Sequence, residues 1–78
     1  MKQIYADKYR QIGLKIAYYR KFRGLTQEQL AEQTGLTPAF IGHLEAPNIT
    51  KALSMDTLFD IAAALEVSPH KFLMFEDD

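Results

Sequence analysis

The sequence predicts an all-α fold of five short helices in 78 residues, and three observations predict it. Apolar residues recur three and four apart, the helical period. Helix-opening signals stand at Thr26, Thr37, Ser54 and Ser68. No stretch shows the period-two alternation of a strand, and no internal repeat or low-complexity segment interrupts the chain. Residues 1–78 therefore read as one domain, organised around Thr26 to Glu45, two helices joined by a tight turn.

Residues 1–7 form an arm or frayed helix start, and the first helix runs from about Lys8 to Arg23. Ile12, Ile16 and Tyr19 give it an inner stripe, and Gly24 supplies a C-terminal glycine cap. The second helix opens at Thr26, with Gln29 completing a capping box and Glu28 in the first turn, where the helix dipole favours an acid. Leu30 and Ala31 face inward, and Gly35 can take the left-handed conformation that ends the helix. Thr37 caps the third helix and Pro38 occupies its first position, where a missing N–H costs nothing. Phe40, Ile41 and Leu44 form its core stripe, and Pro47 stops it. After the loop from Asn48 to Leu53, the fourth helix starts at Ser54 and buries Leu58, Ile61, Ala62 and Leu65. Ser68 and Pro69 open a short fifth helix carrying Phe72 to Phe75, and residues 76–78 form a loose acidic tail.

Composition removes several function classes. Without cysteine there is neither a disulfide frame nor a thiolate metal site. His43 and His70 are the only histidines, and no ligand spacing links them, so no metal and no cofactor is expected. No nucleophile–base set, carboxylate pair or glycine-rich phosphate loop is present, which argues against an enzyme. No apolar run approaches membrane-spanning length, so the expectation is a cytoplasmic protein away from membranes. The net charge of −1 hides a strong asymmetry. Residues 1–24 hold Lys2, Lys8, Arg10, Lys15, Arg20, Lys21 and Arg23 against Asp7 alone, while residues 25–78 hold Lys51 and Lys71 against all the other acids. The basic part reads either as a solvated face or as a phosphate-facing edge with an acidic far side.

The central stretch meets the physical needs of a helix-turn-helix: a short glycine turn, small residues such as Ala31 and Gly35 at the helix contact, and a second helix with one face for the core and one for a groove. The stretches IGLKIAYYRKFRGLTQEQLAEQTGLT, FIGHLE and SMDTLFDIAAALEVSPHKFL cover about Ile12 to Leu73. In order and spacing they resemble the phage-repressor and Cro-like helix-turn-helix family, also called the xenobiotic-response-element (XRE) family of bacterial regulators. The resemblance implies a five-helix lambda-repressor-like fold, sequence-specific binding of double-stranded DNA, and frequent homodimerisation. It also implies that Gln27 touches a phosphate, that Arg20 and Glu45 form a salt bridge fixing the recognition helix, and that the loop carrying Thr50 and Lys51 lies against phosphates. Pro47 departs from the pattern, since glycine is common there, and Asn48 can instead form a turn on its own backbone.

The outward residues of the third helix are Thr37, Pro38, Ala39, Gly42 and His43. Pro38 and Ala39 can touch thymine methyl groups, Thr37 can hydrogen-bond a phosphate or base edge, and His43 is either a one-bond contact or a plain exposed histidine. None is an Arg, Asn or Gln, the usual base readers, so this face is chemically sparse. Phe72, Met74 and Phe75 are the expected dimer interface, because four successive large apolar residues on a short helix cannot all point inward. The function expected is a transcriptional regulator, most simply a repressor, on a two-fold symmetric operator. Control would come from concentration, a regulatory protein partner or a small ligand at the interface. Two rivals remain: the antitoxin of a toxin–antitoxin pair, and a module that kept the fold for binding protein.

Overall fold

The computed structural model describes residues 1–75. Four α-helices make up the fold: α1 (Ala6–Phe22), α2 (Gln27–Thr34), α3 (Pro38–Glu45) and α4 (Met55–Leu65). Short 3-10 segments, Gln3–Tyr5 and Pro69–Leu73, flank them, and no strand occurs among the described residues. The expected tail at 76–78 lies outside the described residues.

Three of the four helices, α2, α3 and α4, start where a side chain meets an orphan backbone N–H. Thr26 Oγ1 accepts from the Gln29 backbone N–H at 3.0 Å, and Gln29 Oε1 accepts from the Thr26 N–H at 2.8 Å, a complete capping box. Thr37 and Ser54 cap α3 and α4 by accepting from Phe40 and Thr57 N–H at 3.1 Å each. α1 begins at Ala6, two residues earlier than expected, because Asp7 anchors its first turn. The Asp7 carboxylate accepts from Arg10 and from Gln11 Nε2, the latter at 2.8 Å.

Three of the helix ends share one device. At α1 the Leu25 N–H reaches the Arg20 carbonyl, at α2 Leu36 reaches Ala31, and at α4 Val67 reaches Ala62, each five residues back. The residue before each of these donors is left-handed: Gly24 (φ 73°), Gly35 (φ 75°) and Glu66 (φ 58°). Only Glu66 bears a side chain there. α3 ends differently, because Pro47 drives Ala46 into extended backbone (φ −70°, ψ 125°).

The core gathers Ile12 and Ile16 of α1, Leu30 and Ala31 of α2, Ile41 and Leu44 of α3, and Leu58, Ile61, Ala62 and Leu65 of α4. Phe72 closes it, with no exposed surface and its ring edge-on to Tyr19 at 5.4 Å. Two expectations change here. There are four α-helices rather than five: the fifth is a five-residue 3-10 segment held by a three-residue-back bond from Lys71 N–H to the Ser68 carbonyl, and the Ser68 side chain caps nothing. A segment this short, opened by proline, has too few N–H groups for an α-helical ladder. Phe40, assigned to the core stripe, is only half-buried at its edge.

Candidate nucleic-acid interface

α3 presents Thr37, Pro38, Ala39 and His43 to solvent, with Gly42 half-buried beside them, while Ile41, Leu44 and Glu45 turn inward. Its position rests on a buried polar knot. Arg20 Nε donates to Glu45 Oε2 at 2.7 Å and Nη2 donates to Oε1 at 2.8 Å, with both side chains under a tenth exposed. The third guanidinium nitrogen donates to the Leu25 carbonyl at 2.7 Å. Gln27 Nε2 adds a bond to Glu45 Oε1 at 3.0 Å. One carboxylate thus ties α1 and the first residue of α2 to the last turn of α3, and no buried side-chain polar atom among the described residues lacks a partner. The hydrogen bonds from Glu45 hold the Arg20 guanidinium above its ordinary pKa against the opposing cost of burial. Two parallel N–H···O bonds in a planar fork fix direction as well as distance.

A second support escaped the sequence reasoning. A Cβ on Gly13 would stand 1.7 Å from the Leu44 carbonyl oxygen and 2.9 Å from its carbonyl carbon. α1 therefore lies directly on the backbone of α3, and only glycine permits it. The available signal was a glycine inside a helical pattern, beside Ile12 and one turn from Ile16, where glycine costs about 1 kcal/mol relative to alanine.

The basic edge expected in residues 1–24 is largely spoken for. Arg20 sits in the knot, and Arg10 pairs with Asp7. Arg23 reaches across to the end of α4, donating from Nε to the Leu65 carbonyl at 2.6 Å and from Nη2 to the Glu66 carbonyl at 3.0 Å. It satisfies orphan carbonyls at the negative end of that helix. Lys8 and Lys15 lie over the Phe75 ring at 4.7 and 6.0 Å.

The remaining predicted residues fall beside α3. Gln27, besides its bond to Glu45, lies along α3 at Gly42, where an added Cβ would stand 3.6 Å from its amide oxygen. Lys51 is exposed, with Nζ 5.6 Å from the Phe40 ring, which brings the loop after α3 back against that helix. Thr50 is exposed next to it. Among the described residues no cluster of three His, Asp or Glu side chains could hold a metal ion, and no helix is long and apolar enough to cross a membrane.

The expected dimer face needs one correction. Phe72 is fully buried within the chain and has nothing left to offer a partner. A run of apolar residues does not reveal which of them points inward. Met74 is 61% exposed and Phe75 is half-buried. Leu73 and Phe75, on either side of Met74 in the chain, wall an open groove of about 270 Å³ together with Tyr5, Tyr9, Leu53 and Met55.

Two helices joined by a short left-handed glycine turn, the second buried on one side and bare on the other, define a helix-turn-helix protein. The helix-turn-helix family model matches residues 16–72, and the chain belongs to that family. It is similar to the HTH-type transcriptional regulator SinR of Bacillus licheniformis, 33% identical over 67 residues that make up 86% of this chain and 60% of the relative. The SinR of Bacillus subtilis (strain 168) is 34% identical over 62 residues, 80% of this chain and 55% of the relative. The chain thus spans little more than half the length of these curated relatives. Among solved structures, the restriction-modification controller protein C.AhdI from Aeromonas hydrophila matches with a TM-score of 0.77 at 26% identity, over 85% of this chain and 97% of that one. A crystal structure of SinR, master regulator for biofilm formation, in complex with DNA matches with a TM-score of 0.74 at 33% identity, over 81% and 98%. A SinR–SinI protein complex matches with a TM-score of 0.72 at 34% identity, over 80% and 59%.

Proposed function

We propose that this protein is a sequence-specific DNA-binding regulator of transcription, acting as a repressor in the cytoplasm on a two-fold symmetric operator. The observation that carries the reading is α3 itself: an exposed face from Thr37 to His43 on a helix whose other side is pinned by Arg20, Gln27 and Gly13. In the reading, α3 enters the major groove. Pro38 and Ala39 meet thymine methyl groups, and His43 and the Thr37 hydroxyl supply polar contacts. Gln27, at the first position of α2, offers its backbone N–H and its second amide hydrogen to a phosphate, and Thr50 and Lys51 meet the backbone from the other side. Base contacts this few leave DNA shape as a large share of selectivity. A homodimer through Met74, Leu73 and the groove beside Phe75 brings two copies of α3 onto successive half-sites. The SinR–SinI complex supports a regulatory protein partner as a further element.

The test is fluorescence anisotropy on fragments from the protein's own upstream region across a salt series. Binding should weaken steeply with salt, and Lys51→Ala should lower affinity on all sequences alike and cut the log–log salt slope by about 1. No binding to any such fragment at low salt would overturn the reading in favour of a protein-binding module.

A further inference from the structure

Lys51 differs from the arginines of this chain in what holds it. Arg10 and Arg20 are paired with carboxylates, and Arg23 is engaged by the carbonyls ending α4. Among the described residues Lys51 has no carboxylate within ion-pair distance. Its neighbour is a ring: Nζ lies 5.6 Å from the centroid of Phe40, inside the roughly 6 Å at which an aromatic face attracts an ammonium. The loop itself gives little support. Among the described residues, residues 47–53 make one backbone–backbone hydrogen bond, from the Ile49 N–H to the Ala46 carbonyl at 3.3 Å, and Asn48 to Lys51 are all exposed. Phe40, by contrast, is fixed twice. Its N–H donates to the Thr37 hydroxyl at 3.1 Å in the cap of α3, and its half-buried side chain packs on the edge of the core. A lysine stem lying along a ring is common wherever apolar surface is at hand. Here the ring belongs to the helix with the exposed reading face, and the lysine to the loop beside it.

We propose that Phe40 is a positioning residue for Lys51, its ring holding the ammonium beside α3 ready for a DNA phosphate. The proposal rests on the phosphate contact assigned to Lys51 under the proposed function. A carboxylate in place of the ring would hold the ammonium equally well and cancel its charge. An aromatic face holds it through a quadrupole with no net charge, so Nζ keeps its attraction for an anion and its N–H donors. A long side chain ordered only on docking loses rotamer freedom equivalent to about two- to tenfold in affinity. One already held over a ring is spared part of that loss, about two- to fivefold. Phosphates carry no base identity, so the gain is the same on every sequence.

A double-mutant cycle tests this, read by fluorescence anisotropy on upstream fragments and on scrambled DNA at one low salt concentration. Phe40→Leu keeps an apolar side chain at the core edge and removes the ring face. In the parent it should weaken binding about two- to fivefold per bound copy, alike on both DNAs. In a Lys51→Ala background it should make no further difference, an outcome that a merely structural role for Phe40 does not produce. Phe40→Tyr restores a ring face and should regain the affinity that leucine loses. Thermal unfolding by circular dichroism checks each fold, and Phe40→Met replaces Phe40→Leu should the latter be unfolded at the assay temperature. A parent that binds no DNA would overturn the proposed function and this proposal together. Parental affinity in Lys51→Ala would remove the phosphate contact, and the proposal with it, while DNA binding stands. Where Lys51→Ala does weaken binding, the proposal alone falls if Phe40→Leu binds like the parent, or if it weakens binding equally with and without Lys51.

Discussion

Replacing Gly13 with alanine should loosen the whole reading apparatus without touching any exposed residue. The added Cβ would fall 1.7 Å from the Leu44 carbonyl oxygen. An ordinary close carbon–oxygen approach is about 3.3 Å, so α1 and α3 would have to part locally by about 1.6 Å. The obstacle is backbone, so no side chain can swing aside. Parting the helices opens gaps around Ile12, Ile16, Ile41 and Leu44 and pulls on the Arg20–Glu45 fork, whose bonds are 2.7 and 2.8 Å. Forced overpacking of this kind costs about 1–3 kcal/mol, sometimes more. Alanine returns about 1 kcal/mol of helix propensity. The high end of the range applies because the clash is deep and rigid, so the net loss should be about 2 kcal/mol. For a domain this small that is a fall in Tm of about 8–16 °C. Thermal unfolding followed by circular dichroism measures it. A Tm equal to or above that of the parent would falsify the claim that α1 and α3 are in backbone contact, since propensity alone predicts a gain.

Three further outcomes follow from the same geometry. Glu45→Ala strands Arg20 and removes the acceptor of Gln27, and breaking a buried pair this way costs about 3–5 kcal/mol. Denaturant unfolding should show that loss while the order of preference among DNA fragments stays put; an unchanged midpoint would remove the knot as a stabilising feature. Glu66→Gly relieves the one left-handed residue among the described residues that carries a side chain, and leaves the carbonyl that Arg23 uses. It should stabilise by about 0.5–1 kcal/mol once glycine's extra freedom in the unfolded chain is counted, and a lower Tm would contradict it. The bonds from Arg10 and Gln11 hold the Asp7 carboxyl below its ordinary 3.8. A depressed carboxylate pKa gives stability that is present above 3.8 and lost as pH falls through the lower folded value. Asp7→Asn should therefore flatten the acid limb of a Tm–pH curve below about pH 4, and a curve parallel to the parent's would show that Asp7 contributes nothing.

Much of the scaffold was legible because its signals are local. Thr26 with Gln29, Thr37 with Pro38, and Ser54 each act within one helical turn, so residue type and spacing suffice. The α4 stripe of Leu58, Ile61, Ala62 and Leu65 is legible for the same reason, a period set by one helix alone. What stayed hidden depends on a second element. Arg23 reads as one more surface cation until α4 ends where its guanidinium can reach. Gly13 reads as a weak point in a helix until α3 crosses it. The depth of Phe72, next to the exposed Leu73 and Met74, follows from the path of a five-residue segment that carries no period of its own. The candidate site was named from the outward half of α3 and from resemblance, and the sequence alone left its supports half described.

The buried knot also separates two jobs along one eight-residue helix. Glu45, Leu44 and Ile41 face the interior, while Ala39 and His43 are exposed and take no part in the hydrogen bonds of the knot that holds α3 in place. The exposed positions are therefore free to vary independently of the frame. A lineage, or an engineer, could install a guanine-reading arginine at position 43 or an adenine-reading glutamine at position 39 and change which operator is sought, with the melting behaviour of the protein left almost where it was. The plainness of the present face is then a property of its current vocabulary, and the grammar beneath it would accept another.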